Sequence, residues 1–372
     1  MSTLSAITMK SETPKKVLLL VSSVVVVVLL DFGGSLLYGY FADDMRDQLF
    51  AFDPEVGLVH RPNVRFEVPW PEAVSGVVVY QTNNLGLRED RLTSERTDAT
   101  HRVIVFGDSH TDGVVNNKDS SPHVAESLLR SHLSVEVLNA GIGLSCIKQH
   151  AKLLQRLLFL HPDIAVFTIF VGNDYADILN TGSAPSLYDR WLKHSIILRG
   201  LRRLDFSDRM RAERVNRYAM WQSIGQAYYF RQHPDSLQRA SRLHEEVLAS
   251  IVATCRKNNI QPLILILPTK YLVEYESARN DFEAIERLLQ LSPDKKLDDI
   301  IRLDLRSILT RHRIPFIDLS PSFVSSGDST AGRHLFWQAD HHLSEHGHAV
   351  AGAVLADSLR SMLGRPRSSQ NN

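Results

Sequence analysis

His101-Arg-Val-Ile-Val-Phe-Gly-Asp-Ser-His-Thr-Asp-Gly113 decides the fold. It begins as a short apolar run rich in β-branched residues and breaks at Gly107-Asp108-Ser109. Such a run followed by glycine and a polar turn reads as a buried parallel strand ending at its carboxyl edge. In open α/β sheets, ligands bind just beyond the carboxyl ends of strands, so Ser109 stands where a nucleophile is useful. Taken alone, Gly-Asp-Ser reads equally well as a turn that caps the next helix. The chain on either side weighs the two readings.

Downstream, strands and helices alternate. The strand at 102–107 is followed by an amphipathic helix carrying Val124, Leu128 and Leu129. Val135-Glu-Val-Leu138 is a second strand, ending at Asn139-Ala-Gly-Ile-Gly143, and Ile147, Ala151, Leu154 and Leu158 mark a helical stripe. Ile164–Val171 is a third strand, ending at Gly172-Asn-Asp174. Leu243, Val247, Ile251 and Cys255 mark a helix before a fourth strand, Pro262–Leu267. Helices over 279–291 and 298–312 lead to a fifth strand, Ile314–Asp318, where Pro315 suits an edge or a strand start. A last helix runs from Ser344, its N-cap, to Leu363. This alternation implies parallel βαβ units and an α/β fold.

At 372 residues the chain is long enough for one large domain with appendages. Lys plus Arg and Asp plus Glu number 42 each, and that balance gives no electrostatic footprint for nucleic acid. Cys146 and Cys255 lie far apart in apolar helical patterns and read as buried free thiols.

The N-terminus departs from this picture. Lys10, Lys15 and Lys16 precede the uncharged run Val17–Leu30. That run alone is short for a span and suits a signal-peptide core. Extended past Asp31 to Phe41, it can cross a bilayer with one carboxyl near the far interface. No small-x-small cleavage site follows, so the segment reads as an uncleaved anchor over 17–41 after a cytoplasmic tail, 1–16. Lysines before it and Asp43, Asp44 and Asp47 after it put the bulk of the chain on the extracytoplasmic side. Residues 42–100 form a preface of short strands and turns, with Asn84-Leu85-Gly86 as a turn and Glu89–Thr100 as a surface linker. The domain proper covers 101–365 and the polar tail 366–372. Residues 175–235 interrupt the alternation with arginines and aromatics, among them Tyr188, Arg190, Trp191, Arg199, Arg202, Arg203, Arg214, Trp221, Tyr228 and Tyr229. The segment reads first as a solvated helical insertion packing its aromatics on the main domain, and second as a lid or membrane-touching surface.

Three strand ends then line up: Asp108-Ser109, Gly141 and Asn173. Near the C-terminus stands Asp340-His-His-Leu-Ser344, before the last helix. A serine nucleophile needs a base within hydrogen-bond reach, and the base needs a carboxylate to fix its tautomer. A tetrahedral intermediate needs donors at its oxyanion, which the N–H groups of Ser109 and Gly141 and the amide of Asn173 would supply. His342 is the expected base with Asp340 orienting it, and His341 is the fallback. Asp108 is expected as a turn and cap residue, and His110 at the site mouth.

With these blocks in place the chain resembles the SGNH (GDSL-like) hydrolase superfamily. Ser109 in Gly-Asp-Ser, Gly141 in Asn-Ala-Gly, Asn173 in Gly-Asn-Asp and the late Asp/His pair match its four blocks in order, over roughly 101–363. The anchor and Asn83-Asn-Leu-Gly-Leu-Arg88 resemble a membrane-anchored bacterial subgroup. The resemblance implies a three-layer α/β/α flavodoxin-like domain and ester hydrolysis or acyl transfer, with no metal or other cofactor. The chain departs from the family's frequent Asp-x-x-His spacing: the residue three before His342 is Ala339, and Asp340 is two before. An extracytoplasmic site implies an acyl-ester substrate on an envelope polysaccharide or lipid. O-acetyl transfer uses the same groups.

Two rivals have other chemistry. Asp108-x-His110, Asn173-Asp174 and Asp340-His-His-Leu-Ser-Glu-His-Gly-His348 offer ligands for a metallophosphoesterase. That reading needs a bridging Asp where the chain has Asn139-Ala-Gly-Ile-Gly143, and His where it has Asp174. A non-catalytic envelope scaffold would keep the fold without turnover.

Overall fold

The computed structural model describes residues 13–41, 48–93, 100–180, 195, 197, 224–289, 297, 299–327, 333–338 and 340–364. They fall into two compact units, Met1–Asp47 with Ser183–Met210, and Gln48–Gly182 with Arg211–Asn372.

In the first unit, helix α1 runs unbroken over Thr13–Phe41. Its stretch Lys16–Ser35 has a mean hydropathy of 2.5, and its 20 residues match the thickness of a bilayer core. Asp31 is not an open carboxyl. It is buried, and accepts hydrogen bonds from Ser195 Oγ (2.6 Å) and the Ile197 N–H (3.0 Å). A carboxylate removed from water needs such donors, and here they come from the segment that interrupts the strand–helix alternation.

The second unit opens with two antiparallel hairpins, β1 Phe50–Asp53 with β2 Gly57–His60, and β3 Arg65–Pro69 with β4 Val77–Gln81. The expected turn follows: Asn83 O accepts the Gly86 N–H at 3.0 Å, and Gly86 has φ +75°. A Cβ at Gly86 would lie 2.5 Å from the His60 carbonyl oxygen, so only glycine allows this approach.

Five parallel strands follow: β5 His101–Gly107, β6 Val135–Gly141, β7 Ile164–Phe170, β8 Gln261–Leu267 and β9 Phe316–Asp318. Their order is β6-β5-β7-β8-β9, the 2-1-3-4-5 arrangement of doubly wound sheets, whose switch point lies beside the first strand. Alternate residues feed opposite cores. Ile104, Phe106, Leu138, Ala140, Ala165 and Phe167 join one cluster with Leu154, Leu248 and Ile301. Val103, Val105, Val135, Val137, Ile164 and Val166 join the other with Ala125, Leu129, Leu355 and Leu359. The first cluster draws on helices Ile147–Leu157, Pro234–Lys257 and Asp299–Arg311. The second draws on Ser121–Leu129 and Glu345–Leu363. Apolar runs are needed in these strands because both faces are covered. The result is a three-layer α/β/α fold.

Two sequence expectations change. Glu89, assigned to a surface linker, is buried, with its carboxylate accepting from the Asn139 N–H (2.8 Å) and facing His123 Nε2 (3.0 Å). Residues 94–99 of that stretch lie outside the described residues. The interruption at 175–235 is also narrower than its composition suggests. Asp174–Asn180 is a helix, residues 224–232 are helical, and Ile224, Ala227 and Phe230 belong to the main core. Tyr228 packs against that core and Tyr229 is exposed, whereas Tyr188, Arg190, Trp191, Arg199, Arg202, Arg203, Arg214 and Trp221 lie outside the described residues. Cys146 and Cys255 are buried free thiols.

Candidate active site

Where β5 ends, the chain turns into a single helical turn, α2 Ser109–Asp112. Asp108 is its N-cap, accepting the His110 N–H on Oδ1 at 2.9 Å. As the first helical residue, Ser109 has no intrahelical acceptor for its own N–H. Its hydroxyl meets a residue more than two hundred positions away: His342 Nε2 lies 2.8 Å from Ser109 Oγ. His342 Nδ1 lies 2.6 Å from Asp340 Oδ1, which also accepts the His342 N–H at 2.9 Å. With Nδ1–H donating to the carboxylate, the Nε2 lone pair is left to face the hydroxyl.

The segment carrying His342 is itself held. Phe336 and Leu343 form an antiparallel bridge, the Trp337 N–H donates to His342 O (3.0 Å), and the Ser344 N–H donates to Leu335 O (2.9 Å). Ser344 then caps the last helix through the Gly347 N–H at 3.2 Å.

The electrostatics follow this geometry. Burial would raise the Asp340 pKa, but hydrogen bonds from His341 and His342 hold it far below the usual carboxylate range. Burial works to lower the His342 pKa, yet the Asp340 hydrogen bond and charge, with Asp108 and Asp112, leave it raised. His341 places Nδ1 3.2 Å from Asp340 Oδ1, and burial with the neighbouring His342 lowers its pKa. It is a second donor to the carboxylate; the contact to Ser109 belongs to His342.

His110, expected at the mouth, is buried instead. Its ring lies 3.9 Å from Phe170 and 5.1 Å from His342 by centroids. Burial and the adjacent imidazoles push its pKa well below the ordinary value, so it is a neutral packing partner of the site. Burial raises Asp108 to about 6, with Asp177 adding to the rise, and burial with the Asp108 and Asp177 carboxyls pushes Asp174 well above its ordinary value. The Asn173 side chain works against the rise at Asp108.

Gly141 corrects an expectation. Its N–H donates to Asn139 Oδ1 at 2.9 Å and is therefore turned away from Ser109. Its value is spatial. A Cβ there would lie 2.2 Å from the Asp112 nitrogen and 2.6 Å from the Thr111 carbonyl carbon, so glycine lets α2 sit directly on β6. Two residues on, the Gly143 N–H donates to Asp112 Oδ2 at 3.2 Å, and a Cβ at Gly143 would lie 3.8 Å from the Ser109 Cβ. Leu144 follows with φ +63° and a side chain 62% exposed. Its N–H is bonded to no described residue. A left-handed leucine costs about 1–2 kcal/mol, and such strain concentrates at functional sites.

Arg88 was noticed in the sequence only as part of a motif. It is fully buried, and its guanidinium donates to Asp112 Oδ1 (2.6 Å), Gly113 O (3.1 Å), Val115 O (2.9 Å) and Asn117 Oδ1 (2.9 Å). The second Asp112 oxygen lies 3.2 Å from His60 Nε2. Burial would raise the Asp112 pKa, but His60 and Arg88 bring it down, so the group stays a carboxylate.

Among the described residues, the grouping able to hold a metal ion is Asp340, His341 and His342. It is not joined by Asp108, His110 or Asp174, which the metallophosphoesterase reading offered as ligands.

A serine, an imidazole and a carboxylate are thus aligned at the carboxyl edge of a parallel sheet. Solved structures with a similar course include a lipase/acylhydrolase from Enterococcus faecalis (13% identity, 70% of this chain and 96% of that one, TM-score 0.40). They also include a psychrotrophic esterase from Pseudoalteromonas (10%, 72% and 100%, 0.38) and a catalytic mutant of an acetylxylan esterase from Geobacillus stearothermophilus (15%, 72% and 97%, 0.36). No protein-family model and no curated protein sequence matches the chain.

Proposed function

We propose that this protein is a serine ester hydrolase acting on O-acyl esters, with Ser109 as nucleophile, His342 as base and Asp340 as its orienting carboxylate. The observation that carries the reading is the continuous relay from Ser109 Oγ to His342 Nε2 (2.8 Å) and from His342 Nδ1 to Asp340 (2.6 Å). Three groups from two distant parts of the chain converge in the order acyl transfer requires.

As Ser109 Oγ attacks the ester carbonyl, its proton passes to His342 Nε2, and Asp340 stabilises the imidazolium. The carbonyl oxygen becomes an oxyanion held by the Ser109 N–H, the Asn173 side-chain amide and, in place of Gly141, the Leu144 N–H. When the carbon–oxygen bond to the leaving alcohol breaks, His342 returns the proton to that oxygen. Water, deprotonated by the same imidazole, then attacks the acyl carbon; the bond to Ser109 Oγ breaks, His342 returns the proton to that oxygen, and the acid is released.

The N-terminal helix anchors the chain in a membrane, with its N-terminus cytoplasmic and the hydrolase domain outside. The substrate is an acylated envelope glycan or lipid ester. Full-length protein should turn over chromogenic acyl esters and be labelled on Ser109 by a fluorophosphonate, and Ser109→Ala should abolish both without lowering the melting temperature. Undiminished turnover by Ser109→Ala would refute the assignment. Release of free acid, rather than acyl transfer to an added sugar, identifies the acceptor as water.

A further inference from the structure

Trp337 lies five residues before His342, and its side chain joins a cluster apart from the two cores of the sheet. Its side chain is buried with Leu49, Ala73, Val78, Tyr80 and Val115, a cluster built mostly by the N-terminal hairpins. Trp70 meets it edge-on at 6.2 Å. The indole N–H donates to Val114 O at 3.2 Å. At the backbone, Trp337 O accepts from the buried Lys270 ammonium (2.8 Å), and the next N–H, of Gln338, donates to Glu72 Oε2 (2.5 Å). The segment carrying the base is thus fastened to the hairpin module by an aromatic plug and a carboxylate, and to the Ser109 segment by an indole hydrogen bond.

The nucleophile is referenced to the same place. Arg88 grips the chain from Asp112 to Val115, which runs from the end of the Ser109 helix to the indole acceptor at Val114. Its guanidinium carbon lies 4.4 Å above the ring of Tyr80, a member of the Trp337 cluster. A continuous path therefore runs from Ser109 through Gly113 and Val114 to Trp337 and back, by the Trp337 N–H on His342 O, to the imidazole.

We propose that Trp337 and Arg88 are positioning residues that set the spacing between Ser109 and His342, and that the module from Leu49 to Glu89 is a working part of the catalytic apparatus. The proposal rests on the serine-hydrolase reading above. Its physical basis is that two segments 233 residues apart in sequence must keep a 2.8 Å contact, and that a misplacement of about 1 Å costs about 10²-fold in rate. A guanidinium that binds several acceptors in one plane cannot be replaced by an ammonium, so Arg88→Lys loosens the nucleophile segment while keeping the charge.

The test uses the full-length chain with Trp337→Leu, Trp337→Phe and Arg88→Lys. The readouts are kcat and KM on a chromogenic acetyl ester, the rate of fluorophosphonate labelling, and thermal melting. The expectation is kcat and labelling lowered by about 10²-fold in Trp337→Leu and Arg88→Lys. KM should stay within about twofold, since the substrate contacts are untouched. Trp337→Phe, which keeps most of the plug and loses the indole donor, should recover part of the rate. Should Trp337→Leu not fold, the other two variants decide. Folded variants that keep wild-type kcat and labelling overturn the positioning role and leave the hydrolase reading intact. A wild-type protein that neither turns over esters nor labels at Ser109 overturns the hydrolase reading, and the positioning role with it.

Discussion

Gly141→Ala separates two roles that one glycine can play beside a nucleophile. The added methyl carbon would sit 2.2 Å from the Asp112 nitrogen, 2.6 Å from the Thr111 carbonyl carbon and 2.9 Å from the Asp112 Cα. All three are backbone atoms of the helix that starts at Ser109, so no side chain can rotate out of the way. To restore ordinary contact, α2 must move away from β6 by about 1 Å, and a displacement of that size costs about 10²-fold in rate. Overpacking of this kind lowers stability by about 1–3 kcal/mol. For a second unit of this size that corresponds to a fall in melting temperature of about 2–10 °C. The substitution leaves the Gly141 N–H in place, bonded to Asn139 Oδ1. A large fall in kcat therefore reports spacing, not loss of a donor. Thermal melting and ester turnover on purified protein measure the two effects. An alanine variant that melts and turns over like the parent would refute the packing argument, because the structure leaves the methyl no room.

Other outcomes follow from the same geometry. Because Asp340 raises the His342 pKa, and the base works only when neutral, kcat/KM should climb with pH through an apparent pKa above the ordinary 6.5 of histidine; a pH–rate profile checks this. On the proposed mechanism, Asp340→Asn removes the charge that opposes burial, so the limb should move to lower pH while kcat falls by about 10⁴-fold, the loss typical of a Ser-His-Asp triad without its carboxylate. Leu144→Gly relieves a left-handed leucine at φ +63° and keeps the backbone N–H. It should raise stability by about 1 kcal/mol with kcat on a short acyl ester preserved, which melting and turnover assays will show.

The fold was legible because both faces of the sheet are covered. Strands such as Ile164–Phe170 must then be apolar at every position, and an uninterrupted run of Ile, Val and Phe announces them. The placement of Ser109 and of the Asp340-His342 pair was legible for a related reason. Each stands where such a run, or the start of a helix, breaks into polar residues, and in a parallel sheet those breaks share one edge. The Ser344 cap and the buried thiols could be read from local pattern in the same way.

Local pattern does not carry the partners that arrive from far along the chain. The N–H of Gly141 is turned aside by a side chain two residues away, an outcome set by how β6 ends against α2. His110 is buried because Phe170 and the 341–342 imidazoles close over it. Glu89 looked like the start of a charged linker and Arg88 like the end of a short motif, yet their side chains are buried on partners that lie 24 to 50 residues further along. Sequence by itself determined which segments become strands and helices, and which polar residues reach the edge of the sheet, since periodicity and breaking residues are properties of neighbours. Only the tertiary structure decided which imidazole faces Ser109, which N–H groups remain available, and that the N-terminal hairpins hold both halves of the site, because hydrogen bonds and burial depend on atoms that chain order does not bring together.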